Sequence, residues 1–204
     1  MHDHTEHVLL HRAQAGEEDA FGQLQAELEP SARRFIRRLI GINDAEDDIV
    51  QDVFIALYRN LKRIEPAEKL RPYVFRMVRN RCYDELRRLG RFEAVSLDDE
   101  PVESWAAMQT PLEADSQPEE VTYWLMLYLE VQEAMERLPE LQRQTLILYS
   151  EENMTYAEIA EAMNTNIGTV KSRLYYAKKT LRQFLSVETL QALDMEFGKG
   201  ANHD

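Results

Sequence analysis

A single cysteine, Cys82, stands among 204 residues, which excludes an intramolecular disulfide and fits a reducing compartment. Glycine and proline number only seven each, and strand-like alternation is nearly absent, so a β-rich fold is disfavoured and helices are expected. No apolar run approaches the roughly 20 residues that a membrane span needs, so no membrane insertion is expected. The opening residues MHDHTEH lack the basic-then-apolar pattern of a secretory signal, and a cytoplasmic location is the expectation. There is no G-x-S-x-G, no phosphate-cradling glycine loop and no H-E-x-x-H. Paired acids such as Asp47 and Asp48 have no partner base, so an enzyme is the weakest class and no cofactor is expected. His2, His4, His7 and His11 cluster without a fold around them and read as a solvated tail rather than a metal site.

Positive charge is also scarce overall: 24 Lys and Arg against 37 Asp and Glu give a net charge of −13. The distribution matters more than the sum. Residues 21–90 hold 14 basic and 11 acidic side chains, whereas residues 91–120 hold 1 and 9. Residues 121–185 are nearly balanced, with 7 basic and 8 acidic. A nucleic-acid surface needs a local basic stripe rather than a basic whole. The total still predicts weak affinity for DNA by the chain alone.

What is present begins with TYAEIAEAMNTNIGTVKSRLYYAKKTLRQFL, residues 155–185. Thr155 and Glu158 form a T-x-x-E capping box at the start of one helix. Asn164 stands where the chain must turn sharply, because Asn tolerates the left-handed conformation. Asn166 caps a second helix. Val170, Leu174, Ala177 and Leu181 recur at helical spacing and face inward. Thr169, Lys171, Ser172, Arg173, Tyr175 and Tyr176 then face outward, with Lys178 a turn further on. This is the layout of a helix-turn-helix that presents its second helix to a major groove, the alternative being an ordinary helical hairpin with a charged face.

A second informative helix is PYVFRMVRNRCYDELRRL, residues 72–89, with Pro72 suited to its first turn. Tyr73, Arg76, Arg79, Asn80, Tyr83 and Arg87 share one stripe; Val74, Phe75, Val78, Cys82, Leu86 and Leu89 lie opposite. Guanidinium groups neutralise phosphates and aromatic rings stack on bases, so the first stripe suits nucleic acid. Just before it, Lys62, Arg63, Lys69 and Arg71 flank the Lys62–Leu70 loop around Pro66, which read on its own is first an ordinary polar connection and, as the alternative, a place for an unstacked base. The helix over 44–61 buries Ile49, Val53, Leu57 and Leu61. Asp44, Glu46, Asp47, Asp48 and Asp52, with Gln51, Phe54 and Tyr58, give it an acidic–aromatic face that repels DNA and suits a basic protein surface.

The expected architecture is all-α: two small helical domains joined by an acidic flexible linker, the second containing the helix-turn-helix. The first domain spans 8–90. Within it Asp19 caps a helix ending before Pro30, another helix through Phe35 and Leu39 stops at Gly41, and Asn43 with Glu46 starts the acidic helix. Residues 91–120 carry three prolines and many carboxylates and read as a mobile linker in which Trp105 and Met108 dock locally. The second domain spans 121–185, opening with Trp124, Leu125, Leu127, Leu129, Val131, Met135 and Leu138 and interrupted at Pro139. Residues 186–204 read as an acidic tail.

In this order the segments DAEDDIVQDVFIALYRNL (44–61), LRPYVFRMVRNRCYDELRR (70–88) and the stretch 138–185 resemble a bacterial extracytoplasmic-function (ECF) sigma factor. The resemblance covers about residues 10–185. It implies that Asp47, Asp48, Gln51, Asp52, Phe54, Leu57 and Tyr58 dock on core RNA polymerase. It implies that Lys62, Arg63, Lys69, Arg71, Tyr73, Arg76, Arg79, Asn80, Tyr83 and Arg87 read and melt the −10 element of promoter DNA. Thr169, Lys171, Ser172, Arg173, Tyr176 and Lys178 would then read the −35 element. An anti-sigma factor is an implied further partner. Tyr73 stands where many relatives carry Trp, and Asn164 replaces the commoner turn glycine. The alternatives are a stand-alone helix-turn-helix regulator with an N-terminal helical sensing domain, and a protein-binding module that never touches DNA.

Overall fold

The computed structural model describes residues 2–42, 44–90 and 118–197, and its elements there are all helical. Helices α1 (His2–Gln14), α2 (Glu18–Ile40), α3 (Ala45–Asn60) and α4 (Leu70–Arg88) form an N-terminal bundle. Helices α5 (Pro118–Glu136), α6 (Glu140–Ser150), α7 (Tyr156–Ala162), α8 (Ile167–Phe184) and α9 (Val187–Phe197) form a second unit. Asn43 and residues 91–117, and with them most of the expected linker and the docking of Trp105 and Met108, lie outside the described residues.

The bundle core is built from Leu10 of α1, Leu24, Leu28, Phe35 and Ile36 of α2, Leu57 of α3, and Phe75 of α4, all fully buried. Phe35 and Phe75 meet edge to face, ring centroids 5.4 Å apart. Ile49, Val53, Leu57 and Leu61 are buried along one face as expected. In the second unit Ile147, Leu148, Ile159, Val170, Leu174 and Ala177 are buried. Helix α4 belongs to the bundle but also packs on α7, so it joins the two units.

Five local expectations are corrected. The two helices expected on either side of Pro30 are one, with Pro30 inside α2 and Glu17, not Asp19, at the N-cap. An interior proline costs about 3 kcal/mol. The continuous stripe of Leu24, Leu28, Ala32, Phe35, Ile36 and Leu39 outweighs that, since each large apolar side chain contributes about 1.5–3 kcal/mol on burial. The start of α3 carries no side-chain cap from its N-cap residue, Asp44, and Glu46 is turned to arginines of α2 instead. The N-terminal histidines belong to α1 rather than a tail, and Glu6 beside them is buried. The second unit begins at Pro118, inside the expected linker. The expected tail contains α9, which Ser186 caps by accepting the Thr189 N–H at 3.2 Å. Its remainder, residues 198–204, lies outside the described residues.

Candidate nucleic-acid interface

The helix-turn-helix is fixed by three local devices. Thr155 and Glu158 exchange hydrogen bonds, the Thr155 N–H donating to Glu158 Oε2 at 2.8 Å and the Glu158 N–H to Thr155 Oγ1 at 3.3 Å. Asn164 takes the left-handed conformation, φ 51°, and turns the chain. Asn166 Oδ1 accepts the Thr169 N–H at 2.8 Å and starts α8. With Val170, Leu174 and Ala177 buried, α8 exposes Lys171, Ser172, Tyr175, Tyr176 and Lys178, while Thr169 is half-buried. The ammonium groups stand over aromatic rings: Lys171 Nζ is 5.6 Å from the Tyr156 centroid and Lys178 Nζ 5.0 Å from that of Tyr149. Arg173 differs from its neighbours. It is half-buried, has a fully buried Nη1, and lies close enough to Tyr83 of α4 to act on its phenol.

On α4 the predicted stripe is assembled by Arg–Tyr pairs. The Arg76 guanidinium sits 5.6 Å from the Tyr73 ring and that of Arg79 5.5 Å from the Tyr83 ring. Asn80 and Arg87 are exposed, Arg87 pairing with Asp84 at 2.6 Å. The Tyr83 hydroxyl accepts from Gln144 Nε2 at 2.8 Å, and burial pushes its phenol above the ordinary value despite that bond. Arg71 is turned inward, to Glu6 at 3.0 Å and to Glu152 at 3.4 Å. Leu89, expected on the packed side, is 37% exposed. Cys82 is buried, and burial raises its thiol well above the usual range. The preceding loop presents Lys62, Arg63 and Lys69 to solvent. Gln14 of α1 holds it by donating to the carbonyls of Leu61 and Ile64, each at 3.0 Å.

The acidic face of α3 is a surface of Asp47, Asp48, Gln51, Asp52 and Tyr58. Tyr58 is 62% exposed and leans edge-on against Phe21 at 4.9 Å. Phe54 and Leu57 are buried in the bundle, so they hold the shape of this face rather than form its surface. Sequence reasoning missed Ile55, 42% exposed between Gln51 and Tyr58, although helical spacing already put it on that stripe. Glu46 is not part of the face. Burial raises its carboxyl pKa, but hydrogen bonds from Arg37 (2.7 and 2.8 Å) and Arg33 (3.0 Å) outweigh that and hold it below the ordinary glutamate value.

Residues 24–92 match Sigma-70 region 2, and residues 128–181 match Sigma-70, region 4. With a basic–aromatic helix in the first and a helix-turn-helix in the second, they define a promoter-recognising subunit of the sigma-70 class. Over 181 residues the chain is 28% identical to the ECF RNA polymerase sigma-E factor of Escherichia coli K12, covering 87% of this chain and 92% of that one. It is also 28% identical over 162 residues to the ECF RNA polymerase sigma factor SigE of Mycolicibacterium smegmatis, where the match spans 78% of this chain but only 60% of the relative. The solved sigma factor RpoE of Bartonella quintana, in complex with the anti-sigma factor NepR, superposes with a TM-score of 0.61 at 26% identity, over 82% of this chain and 97% of that one. The chain belongs to the ECF sigma factor family, which serves promoter-directed transcription initiation and is not in general a family of enzymes.

Proposed function

We propose that this chain binds core RNA polymerase in the cytoplasm, directs it to specific promoters and promotes strand separation at the −10 element, catalysing nothing itself. The supporting observation is the order of the matched regions, each carrying a helix with a basic–aromatic face, beside an exposed carboxylate face on α3. Residues 8–90 act as the polymerase-binding and −10 domain and 118–185 as the −35 domain, with the segment between them as the linker and α9 appended after the second. Asp47, Asp48, Gln51, Asp52 and Tyr58, with Ile55 among them, meet a basic surface of the polymerase.

Lys62, Arg63 and Lys69 line the loop that receives an unstacked base. Tyr73, Arg76, Arg79, Asn80, Tyr83 and Arg87 hold the separated strand. Unstacking costs a few kcal/mol, which base–aromatic stacking of about 1–3 kcal/mol per base offsets together with phosphate contacts. Thr169, Lys171, Ser172, Arg173, Tyr176 and Lys178 read −35 bases and phosphates from the major groove. The solved complex of the Bartonella quintana sigma factor RpoE with the anti-sigma factor NepR supports an anti-sigma factor as a further partner of this chain.

The test is co-purification with core polymerase and transcription in vitro. Asp48→Arg with Asp52→Arg abolishes co-purification while helicity by circular dichroism is retained; undiminished co-purification would refute the α3 interface. Arg76→Ala with Asn80→Ala lowers open-complex formation, read by permanganate footprinting, more than polymerase binding. Equal loss of both would point to a folding defect instead.

A further inference from the structure

The acids of the α3 face are not held alike. Asp47 is gripped from α2, its Oδ1 accepting from Arg33 Nη1 at 2.7 Å. Asp52, five residues on, has Arg81 of α4 beside it at 3.7 Å, too far for a hydrogen bond.

Arg33 is itself fixed from two other sides. Its Nε donates to Glu29 Oε1 at 2.8 Å, one helical turn back on α2, and its Nη1 also donates to Glu46 Oε1 at 3.0 Å. Gln25 steadies Glu29 in turn, its Nε2 donating to the other carboxylate oxygen at 3.1 Å. Glu46 is buried and takes two further hydrogen bonds from Arg37, at 2.7 and 2.8 Å. The guanidinium plane is thus set by Glu29 and Glu46 together. A rigid fork of donors allows this; a compact ammonium on a flexible stem does not.

Asp47 stands at the outer end of this chain of contacts. Its side chain is 84% exposed, so the bond to Arg33 orients the carboxylate without covering it. Two effects of Arg33 compete here: it screens the charge of Asp47, and it orders the side chain. The local charges favour the second. Glu29, Glu46 and Asp47 set three carboxylates against the two guanidiniums of Arg33 and Arg37, so one negative charge remains. It lies at Asp47, the most exposed of the three. So exposed a pair adds little to folding stability. A side chain already ordered before docking, however, spares the complex the entropy of ordering it.

We propose that Arg33 is a positioning residue of the polymerase-docking face, holding Asp47 so that its other carboxylate oxygen meets a Lys or Arg of the polymerase. Arg33 acts through Asp47 and makes no contact with the polymerase itself. The inference rests on the Proposed function for the docking role of α3.

The experiment measures the Kd of the full chain for core polymerase in Arg33→Met, Asp47→Asn and the double variant, with helicity checked by circular dichroism. Arg33→Met keeps an unbranched stem and removes the fork. It raises Kd about fivefold, about 1 kcal/mol. Asp47→Asn raises Kd as well. In the Asp47→Asn background Arg33→Met adds almost nothing, because no charge is left to orient. A merely structural role gives the same loss in both backgrounds. Glu29→Gln, which loosens Arg33 from the α2 side, raises Kd in the same direction and tests the proposal should Arg33→Met fail to fold. Arg81→Met removes an equal charge from the other edge of the face and does not weaken binding.

Additive losses in the double variant overturn the positioning role. So does unchanged or tighter binding by Arg33→Met when Asp47→Asn binds weakly, since Arg33 then only screens Asp47. Equal weakening by Arg81→Met and Arg33→Met overturns it too, because the flanking arginines then touch the polymerase directly. Wild-type affinity in Asp47→Asn would instead strike Asp47 from the docking face of the Proposed function, and the role of Arg33 with it.

Discussion

Glu46 shows how a residue that reads as part of an interaction face can be claimed by the core. In sequence it is one of five acids at the start of α3. In space it accepts hydrogen bonds from Arg33 and Arg37 across the α2–α3 contact. Hydrogen bonds to charged groups are worth about 1.5–3 kcal/mol net. Since Arg37 is about half exposed, Glu46→Ala should cost about 2 kcal/mol in urea denaturation, with polymerase co-purification retained. Its folded pKa lies below the unfolded one, so its contribution is complete above the ordinary glutamate range and is lost as pH falls through the depressed value. Glu46→Gln should therefore flatten the fall in stability on acidification; an unaltered pH profile would sink this assignment. The sequence could not distinguish Glu46 from Asp47 and Asp48, because that depended on which arginines of α2 stand opposite.

Elements held by neighbours in sequence were legible; those held by distant ones were not. The helix-turn-helix matches its reading at Thr155, Glu158, Asn164 and Asn166 because caps and turns act over three or four residues. Thr155→Ala should lower stability of the second unit by about 1 kcal/mol. The left-handed conformation costs an ordinary residue roughly 1–2 kcal/mol, so Asn164→Ala should destabilise while Asn164→Gly is neutral or stabilising, as thermal melts would show. Helix α2 was misread because the local penalty at Pro30 is visible in sequence and its compensating burial is not. Helix α9 was missed although Ser186 and Thr189 are spaced as a cap. Its anchor is Glu130 on α5, which accepts from the Ser186 and Thr189 hydroxyls and lies 56 residues back from Ser186. Ser186→Ala should raise amide exchange along 187–197 and leave that of α8 unchanged; equal protection in both variants would refute the cap.

At the scale of the whole molecule, charge is partitioned between partners. A net charge of −13 opposes DNA, yet α8 and α4 carry local basic stripes and α3 a carboxylate face. The uneven charge along the chain made this partition readable. The contact between the units was not readable, because its pairs join residues as far apart as Arg34 and Glu152, 118 positions away. The partition has a measurable consequence in salt. Each phosphate neutralised by a Lys or Arg releases counterions and adds about 0.9 to the slope of log affinity against log salt. Lys171 is exposed at the start of α8, so in the polymerase-bound form Lys171→Ala should weaken duplex binding similarly on all promoters and reduce that slope by about one. For Arg173, whose planar guanidinium can donate two parallel hydrogen bonds to a guanine edge, we propose a base rather than a phosphate as the target. Arg173→Ala should leave the slope nearly intact and instead narrow the difference between promoters with matched and altered −35 elements. Interchange of these two patterns between Lys171 and Arg173 would mean that α8 enters the groove in a different register from the one its buried face implies.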